Sequence, residues 1–294
     1  MRLCSYRDGR NGERLAVLAD GRALAATDVV PGGPRTMADL LAGGEAALDA
    51  LRAAGSTAIE KRGRPLDELE LLAPVPRPGK VVAIGRNYRD HAAEEGAEQP
   101  PAPLIFAKFP TSVVGPGADV RWDPALTSQV DYEAELAIVI GRRARRLSPA
   151  EALDAVLGYT CLNDVSARDL QFGDGQWVRG KSLDTFCPMG PAIVTTDEIP
   201  DPQQLTISCR VGGAIVQEAS TAQMYFGVAA IVSYCSQSFQ LEPGDVIATG
   251  TPGGVGIFRD PPALLGDGDE VIVEIEGIGR LVNVCRFDPA RVPA

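Results

Sequence analysis

The chain has 294 residues, 45% hydrophobic and 23% charged, enough apolar side chain for a sizeable core in one large domain or two unequal ones. A formal net charge of -11 argues against nucleic acid and anionic membrane surfaces as partners, and it leaves an anionic substrate dependent on a metal ion or on placed Arg and Lys. The six cysteines are scattered with no C-x-x-C pair, which excludes a zinc or disulfide framework and points to buried thiols in a reducing compartment.

The opening Met1 to Asp8 lacks the apolar stretch of a secretory signal, and no run approaches the roughly 18 apolar residues of a membrane helix. The expected location is cytoplasmic. Residues 1–72 read as a small leading α+β unit. Leu15-Ala-Val-Leu-Ala-Asp20-Gly21-Arg-Ala-Leu24 has the pattern of a hairpin turning at Asp-Gly, and residues 36–42 and 45–54 have helical patterns. Three prolines in residues 73–79 mark a linker. The larger unit, residues 73–294, opens with a buried strand at 80–84. Short β-type segments then dominate, at 104–108, 133–140, 158–163, 192–195, 205–211, 245–249 and 270–275. Helices are predicted at 87–95, 149–156 and 224–239. The fold class is therefore α+β and β-dominated, an irregular mixed architecture rather than alternating βα units.

Four segments carry chemistry. Asp131-Tyr-Glu133-Ala-Glu135 leads into an apolar β-branched run, so both glutamates fall on one strand face, about 7 Å apart along the chain. Adjacent carboxylates on a core strand need a positive partner. That partner is either a divalent cation or nearby Lys and Arg. Asp164, after another apolar run, adds a third acid, and three carboxylates without histidine suit Mg²⁺, Mn²⁺ or Ca²⁺ rather than zinc. The only histidine, His91, stands three residues before Glu94. On a helix they share a face and can act together as a general base, or form an ordinary ion pair. Gly175-Gln-Trp-Val-Arg-Gly180-Lys181-Ser182 matches the P-loop pattern, but the polar, glycine-rich lead-in and the prolines that follow deny it the required strand and helix. Lys181 in apolar surroundings remains a candidate point charge beside an anionic substrate. Gly250-Thr251-Pro-Gly-Gly-Val-Gly256 follows a strand, and its N–H groups could cradle an oxyanion or simply make a tight turn.

Taken in order, five motifs resemble the fumarylacetoacetate hydrolase (FAH) superfamily over residues 75–288. They are Asn87-Tyr88…His91-x-x-Glu94, Asp131-Tyr-Glu-x-Glu-Leu-Ala137, Asn163-Asp-Val-Ser-Ala-Arg-Asp-Leu-Gln171, Gly180-Lys-Ser-x-Asp-x-Phe-Cys-Pro-x-Gly-Pro191 and Gly244-Asp…Thr249-Gly-Thr-Pro-x-Gly-Val-Gly256. The leading unit is similar to the small N-terminal domain of bacterial two-domain members. The resemblance implies a mixed β-sandwich roll, a homodimer, and Mg²⁺ or Mn²⁺ held by Glu133, Glu135 and Asp164. It assigns catalysis to His91, Glu94 and Lys181, and substrate binding to Gln171 and Thr251. Arg86 is a substrate-binding candidate whose guanidinium could grip a second carboxylate or serve a structural role alone. Phe109 and Trp177 are candidates for the distal pocket, and residues 88 and 96–103 for a lid. The substrate class implied is a 2-oxo or β-diketo acid. The first functional reading is metal-dependent C–C hydrolysis of an acylpyruvate-like acid through a metal-stabilised enolate. The alternatives are decarboxylation of a β-keto acid such as oxaloacetate, or isomerase or tautomerase action on a hydroxymuconate-type acid.

Overall fold

A computed structural model describes residues 1–9, 12–54 and 57–288 of the chain. Asp20 and Gly21 both take positive φ, 48° and 71°, the backbone of a turn that suits the twist of a two-residue hairpin. They join β2 (Glu13–Ala19) to β3 (Arg22–Ala25), and β1 (Arg2–Arg7) pairs with β2 on its other side. The two predicted helices form one kinked helix, α1 (Met37–Ala53). Thr36 and Asp39 cap its start reciprocally, and Gly44, at φ 60° and ψ -151°, makes the kink. Its buried Met37, Leu40, Leu48 and Leu51 pack with Leu15, Val17 and Leu24 of the hairpin.

The remaining described strands longer than two residues are β4 (Val81–Gly85), β5 (Leu104–Lys108), β6 (Asp119–Trp122), β7 (Ala134–Ile140), β8 (Val156–Asn163), β9 (Cys187–Thr195), β10 (Thr206–Val211), β11 (Ala214–Ser220), β12 (Val246–Ala248), β13 (Glu270–Ile275) and β14 (Gly279–Phe287). One sheet runs β3-β2-β1-β9-β8-β7-β12-β4-β5, with the two-residue strand Arg64–Pro65 beyond β3. The pairing of β1 with β9 (Arg2 opposite Val194, Leu3 opposite Ile193) makes the leading hairpin continuous with this sheet. A second sheet runs β11-β10-β13-β14-β6. Leu136, Ile138 and Ile140 of β7 meet Ile207, Val271, Val273, Ile275 and Leu281 of the second sheet in the main core, as strand alternation requires.

The described α-helices beyond residue 73 are α2 (Arg89–Glu94), α3 (Arg168–Asp174), α4 (Val178–Lys181) and α5 (Val228–Ser238), the last packed against the Ala152–Ala155 turn. The fold is mixed α+β and strand-dominated, as expected. Several elements differ from the sequence reading. The helix predicted at 149–156 is only the 3-10 turn Ala152–Ala155, because Val156 already enters β8 and too few residues remain to nucleate an α-helix. The helix predicted from 224 starts at Val228, since Tyr225 and Phe226 donate their N–H groups to Asn87 (2.7 and 2.9 Å) and Gly227 is extended. Strands β1, β6, β11 and β14 and helices α3 and α4 were not predicted. All six cysteines are buried and unpaired, and no described helix is long and apolar enough to cross a membrane.

Candidate active site

Register builds the acidic centre. In the β7–β8 ladder Ala134 lies opposite Asn163 and Glu135 opposite Leu162, so the residues just past the ladder, Glu133 and Asp164, come together. Glu133 sits outside the strand, with its N–H bonded to Asn163 Oδ1 (3.0 Å) and its carbonyl accepting from Asp164 N (2.9 Å). Carboxylate oxygens of Glu133, Glu135 and Asp164 all lie within 4.8 Å of one another, and all three side chains are buried.

Part of their charge is balanced by cations. Lys181 Nζ is 2.8 Å from Glu133 Oε2 and 2.9 Å from Asp164 Oδ2. Lys108 Nζ is 2.6 Å from Asp164 Oδ1 and also donates to the carbonyls of Val165 and Lys181. The Arg168 guanidinium spans Glu133 Oε1 (2.7 Å) and Asp131 Oδ2 (2.8 Å). Burial would raise Glu133, but Lys181 and Arg168 outweigh it and hold the carboxyl at about 2. Glu135 makes no ion pair among the described residues and accepts only Gly250 N–H (2.7 Å). Burial and the charges of Asp164 and Glu133 push its carboxyl well above the ordinary value. A buried, oxygen-only donor set that is short of one positive partner fits a hard divalent cation.

β4 delivers the second group. It ends at Gly85, where a Cβ would come within 2.4 Å of the Trp177 ring, and the chain then turns through Arg86 at φ 55°. Asn87, fully buried, locks this turn by donating to the carbonyls of Thr249 (2.8 Å) and Phe226 (3.0 Å). Helix α2 then places His91 and Glu94 on one face. His91 Nδ1 is 2.7 Å from Glu94 Oε1, and Glu94 Oε2 accepts the N–H of Gly254 (2.7 Å). With Nδ1 committed to Glu94, Nε2 is the ring nitrogen left for other chemistry.

One cleft is lined by Arg86, His91, Glu133, Glu135, Gln171, Lys181 and Thr251, seven of the nine predicted site residues. Glu94 and Asp164 stand behind it on His91 and Lys181. Its apolar wall is Phe106, Phe172, Trp177 and Phe258. Phe109 does not line it and is exposed, a correction to the distal-pocket expectation that arises because β5 ends at Lys108 and a 3-10 turn carries Phe109 outward. The glycine-rich loop departs from the oxyanion expectation. The N–H groups of Gly250, Gly254 and Gly256 are taken by Glu135, Glu94 and Asp131, so this loop braces the acids. The P-loop reading fails on geometry as argued: α3, not a strand, precedes Gly175, and Lys181 points into carboxylates.

Sequence reasoning missed Lys108, Arg168, Asp131 and Gln217. Gln217 crosses from the second sheet and bonds Thr251 Oγ1 (2.8 Å) and Ala134 N (3.0 Å). Asp131 and Arg168 lie inside the quoted motifs, so their spacing to Glu133 was the available signal. Lys108 and Gln217 sit in ordinary strand patterns that carried none.

Comparison with known proteins agrees with this geometry. The profile of the fumarylacetoacetate (FAA) hydrolase C-terminal family matches residues 80–286. The bovine protein named oxaloacetate tautomerase FAHD2A, mitochondrial, is 46% identical over 252 residues, 85% of this chain and 79% of its own length. Oxaloacetate tautomerase YisK of Bacillus subtilis is 46% identical over 221 residues, covering 74% of this chain and 73% of that one. The solved structure of a fumarylacetoacetate hydrolase from Exiguobacterium antarcticum superposes with a TM-score of 0.83 at 39% identity, covering 98% of this chain and all of that one. Fold, motif spacing and relatives agree, and the chain is an enzyme of the fumarylacetoacetate hydrolase superfamily.

Proposed function

We propose that the protein catalyses keto–enol tautomerisation of a small 2-oxo dicarboxylic acid of the oxaloacetate type. The observation that carries this reading is the His91–Glu94 pair, 2.7 Å apart, opening onto the same cleft as the acidic centre. Relatives at 46% identity from two kingdoms bear the tautomerase name, which favours this alternative over the acylpyruvate hydrolysis first read from the sequence. The hydrolase title belongs to a neighbour of lower identity. Tautomerisation also asks less of the site, since no attacking water has to be placed.

His91 Nε2 removes a proton from the carbon next to the keto group. The C–H pair becomes the C=C bond, the C=O π pair moves onto the oxygen, and the proton held by the His91 imidazolium passes to that oxygen, which returns the base to its neutral form. Glu94 holds the Nδ1 proton and balances the imidazolium that forms. Lys181 stands where charge on the oxygen can be met by an ammonium. Gln171, Thr251 and Arg86 orient the acid groups. Glu133, Glu135 and Asp164 would hold Mg²⁺ or Mn²⁺, which when bound supplies Lewis-acid polarisation of the keto group. The homodimer implied by the resemblance belongs to the same proposal, and light scattering tests it.

The experiment follows enol absorbance of oxaloacetate, with CO₂ and pyruvate measured in parallel, on metal-stripped protein with and without Mg²⁺. Metal-dependent ketonisation without CO₂ or pyruvate release is expected. Pyruvate release from an acylpyruvate, without accelerated ketonisation, would restore the hydrolase reading. CO₂ release matching enol loss would favour the decarboxylase.

A further inference from the structure

We propose that Glu95 is an internal competitor for the guanidinium of Arg86. The distal carboxylate of a dicarboxylic ligand displaces it, so that Arg86 selects dicarboxylates over monocarboxylates of equal length and Glu95 sets how strongly. This deepens the tautomerase reading by naming what selects its substrate class.

Arg86 Nε is 2.8 Å from Glu95 Oε2, and its NH2 nitrogen is 2.9 Å from Oε1, a two-pronged fork of the kind guanidinium offers any carboxylate. Both residues line the cleft that holds His91 and the acidic centre. The other cations of that cleft are committed. Lys181 pairs with Glu133 and Asp164, and Arg168 with Glu133 and Asp131. Arg86 alone among the cleft-lining cations pairs with an acid outside the candidate metal set and its Asp131 brace. It can therefore change partner without unbalancing the acidic centre.

Arg86 is also held in place without Glu95. Its backbone is at φ 55°, a conformation disfavoured for a side-chain-bearing residue, and it persists because Asn87 ties the turn to Thr249 and Phe226. Trp177 lies under the guanidinium, with 5.7 Å from its central carbon to the ring centroid. Glu95 instead follows the last turn of the six-residue α2, next to Gly96 at φ 66°. The cation is fixed by the sheet, and the acid is carried by a helix end.

Position makes the pair selective. Water-sized space in the inner cleft is only about 20 Å³, whereas about 570 Å³ lies in an outer cavity bounded by residues 98–105 and by Tyr234 and Ser238. Arg86 lines both spaces. A ligand with a terminal carboxylate exchanges one fork partner for another and conserves both hydrogen bonds. A ligand with a methyl group there gains nothing and must fit beside an intact pair. The internal competitor thus taxes only the ligand that displaces it, and it keeps the guanidinium paired while the site is empty.

Calorimetric titration of the full chain, loaded with Mg²⁺, tests this with two unreactive analogues, malate and 2-hydroxybutyrate, which differ only in that terminal group. Malate is expected to bind at least about tenfold more tightly. Glu95→Gln should tighten malate by about three- to tenfold and leave 2-hydroxybutyrate within about twofold, since removing a competitor raises apparent affinity only for the ligand that competes. Arg86→Met should abolish the malate preference. Equal weakening of both ligands in Glu95→Gln, or a preference that survives Arg86→Met, would overturn the proposal. Neither analogue is turned over, so failure of the tautomerase reading would show in the enol assay and not here.

Discussion

Glu94→Gln replaces one oxygen by an amide nitrogen and should silence the base. In the wild type the carboxylate accepts two N–H groups at 2.7 Å, one from His91 Nδ1 and one from Gly254. A carboxamide has a single acceptor oxygen. Gly254 can only donate, so the amide oxygen turns to it and the NH₂ faces His91. Nδ1 then becomes an acceptor, and Nε2 carries the proton it should receive. The opposite rotamer sets the NH₂ against Gly254 N–H, and that unmet pair costs about 1–3 kcal/mol. Either way the competent tautomer is depleted and the imidazolium loses its counter-charge. A positioned base is worth about 10²–10⁴ in rate, or about 2.7–5.4 kcal/mol at 1.36 kcal/mol per tenfold. Enol ketonisation at saturating oxaloacetate should therefore show kcat reduced by about 10²–10⁴, with KM within about threefold and Mg²⁺ affinity by calorimetry unchanged. A kcat within about threefold of wild type, with metal binding intact, would refute the assignment of the base to this pair.

Other outcomes follow from the buried charges. Glu135 is raised in the folded, metal-free chain, so its contribution to stability is complete below the unfolded carboxyl value and is lost as pH rises through the raised folded value. Metal-free protein should melt at progressively lower temperature over that upper window, and Mg²⁺ should restore most at the high-pH end; a Mg²⁺ effect that is flat with pH would contradict this. Glu133, held at about 2, runs the other way, and its contribution is lost as pH falls from the ordinary carboxylate range toward that value. Lys108→Met strands the Asp164 charge and two carbonyl acceptors, so urea unfolding should show a loss of about 3–5 kcal/mol; a loss under about 1 kcal/mol would show that Lys181 alone balances Asp164. Gly250→Ala would put a methyl 2.8 Å from Asn87 Cβ and 3.0 Å from the Ile84 carbonyl, at φ 96°. It should cost about 2 kcal/mol or more by denaturant midpoint, and a neutral result would mean that the Asn87 turn yields easily.

The sequence disclosed the acidic centre because two of its acids open an apolar strand and the third follows one, where an unpaired charge is conspicuous. His91 and Glu94 were legible from i,i+3 spacing on a short helix. What it concealed is the balancing half of the site. Lys108 ends a strand whose pattern looks like any edge, and nothing local marks its reach to Asp164. The brace made by the glycine-rich loop was hidden for a related reason. Spacing shows that a backbone can approach something, but not that the approaching groups are Glu94, Asp131 and Glu135. Strands β11 and β14 went unread because each is half exposed and partly polar, and only pairing with β10 and β13 fixes them as strands. Phe109 failed for the opposite reason, an aromatic that reads as pocket lining but sits one residue past the strand that would have turned it inward.

The junction of β1 with β9 binds the leading unit to the rest of the molecule by more than a linker. Ile193, Val139 and Leu157 of the large sheet share a core with Leu3, Leu15, Met37 and Leu40. A truncation after residue 72 would leave those three side chains bare on the face that α1 covers and open the β9 edge to any strand able to dock there. Expression of the FAH-like part alone is thus a test of aggregation before it is a test of catalysis. The leading hairpin and helix act as a built-in cap on the sheet that carries the site, and a lineage that shed them would need another surface to take their place.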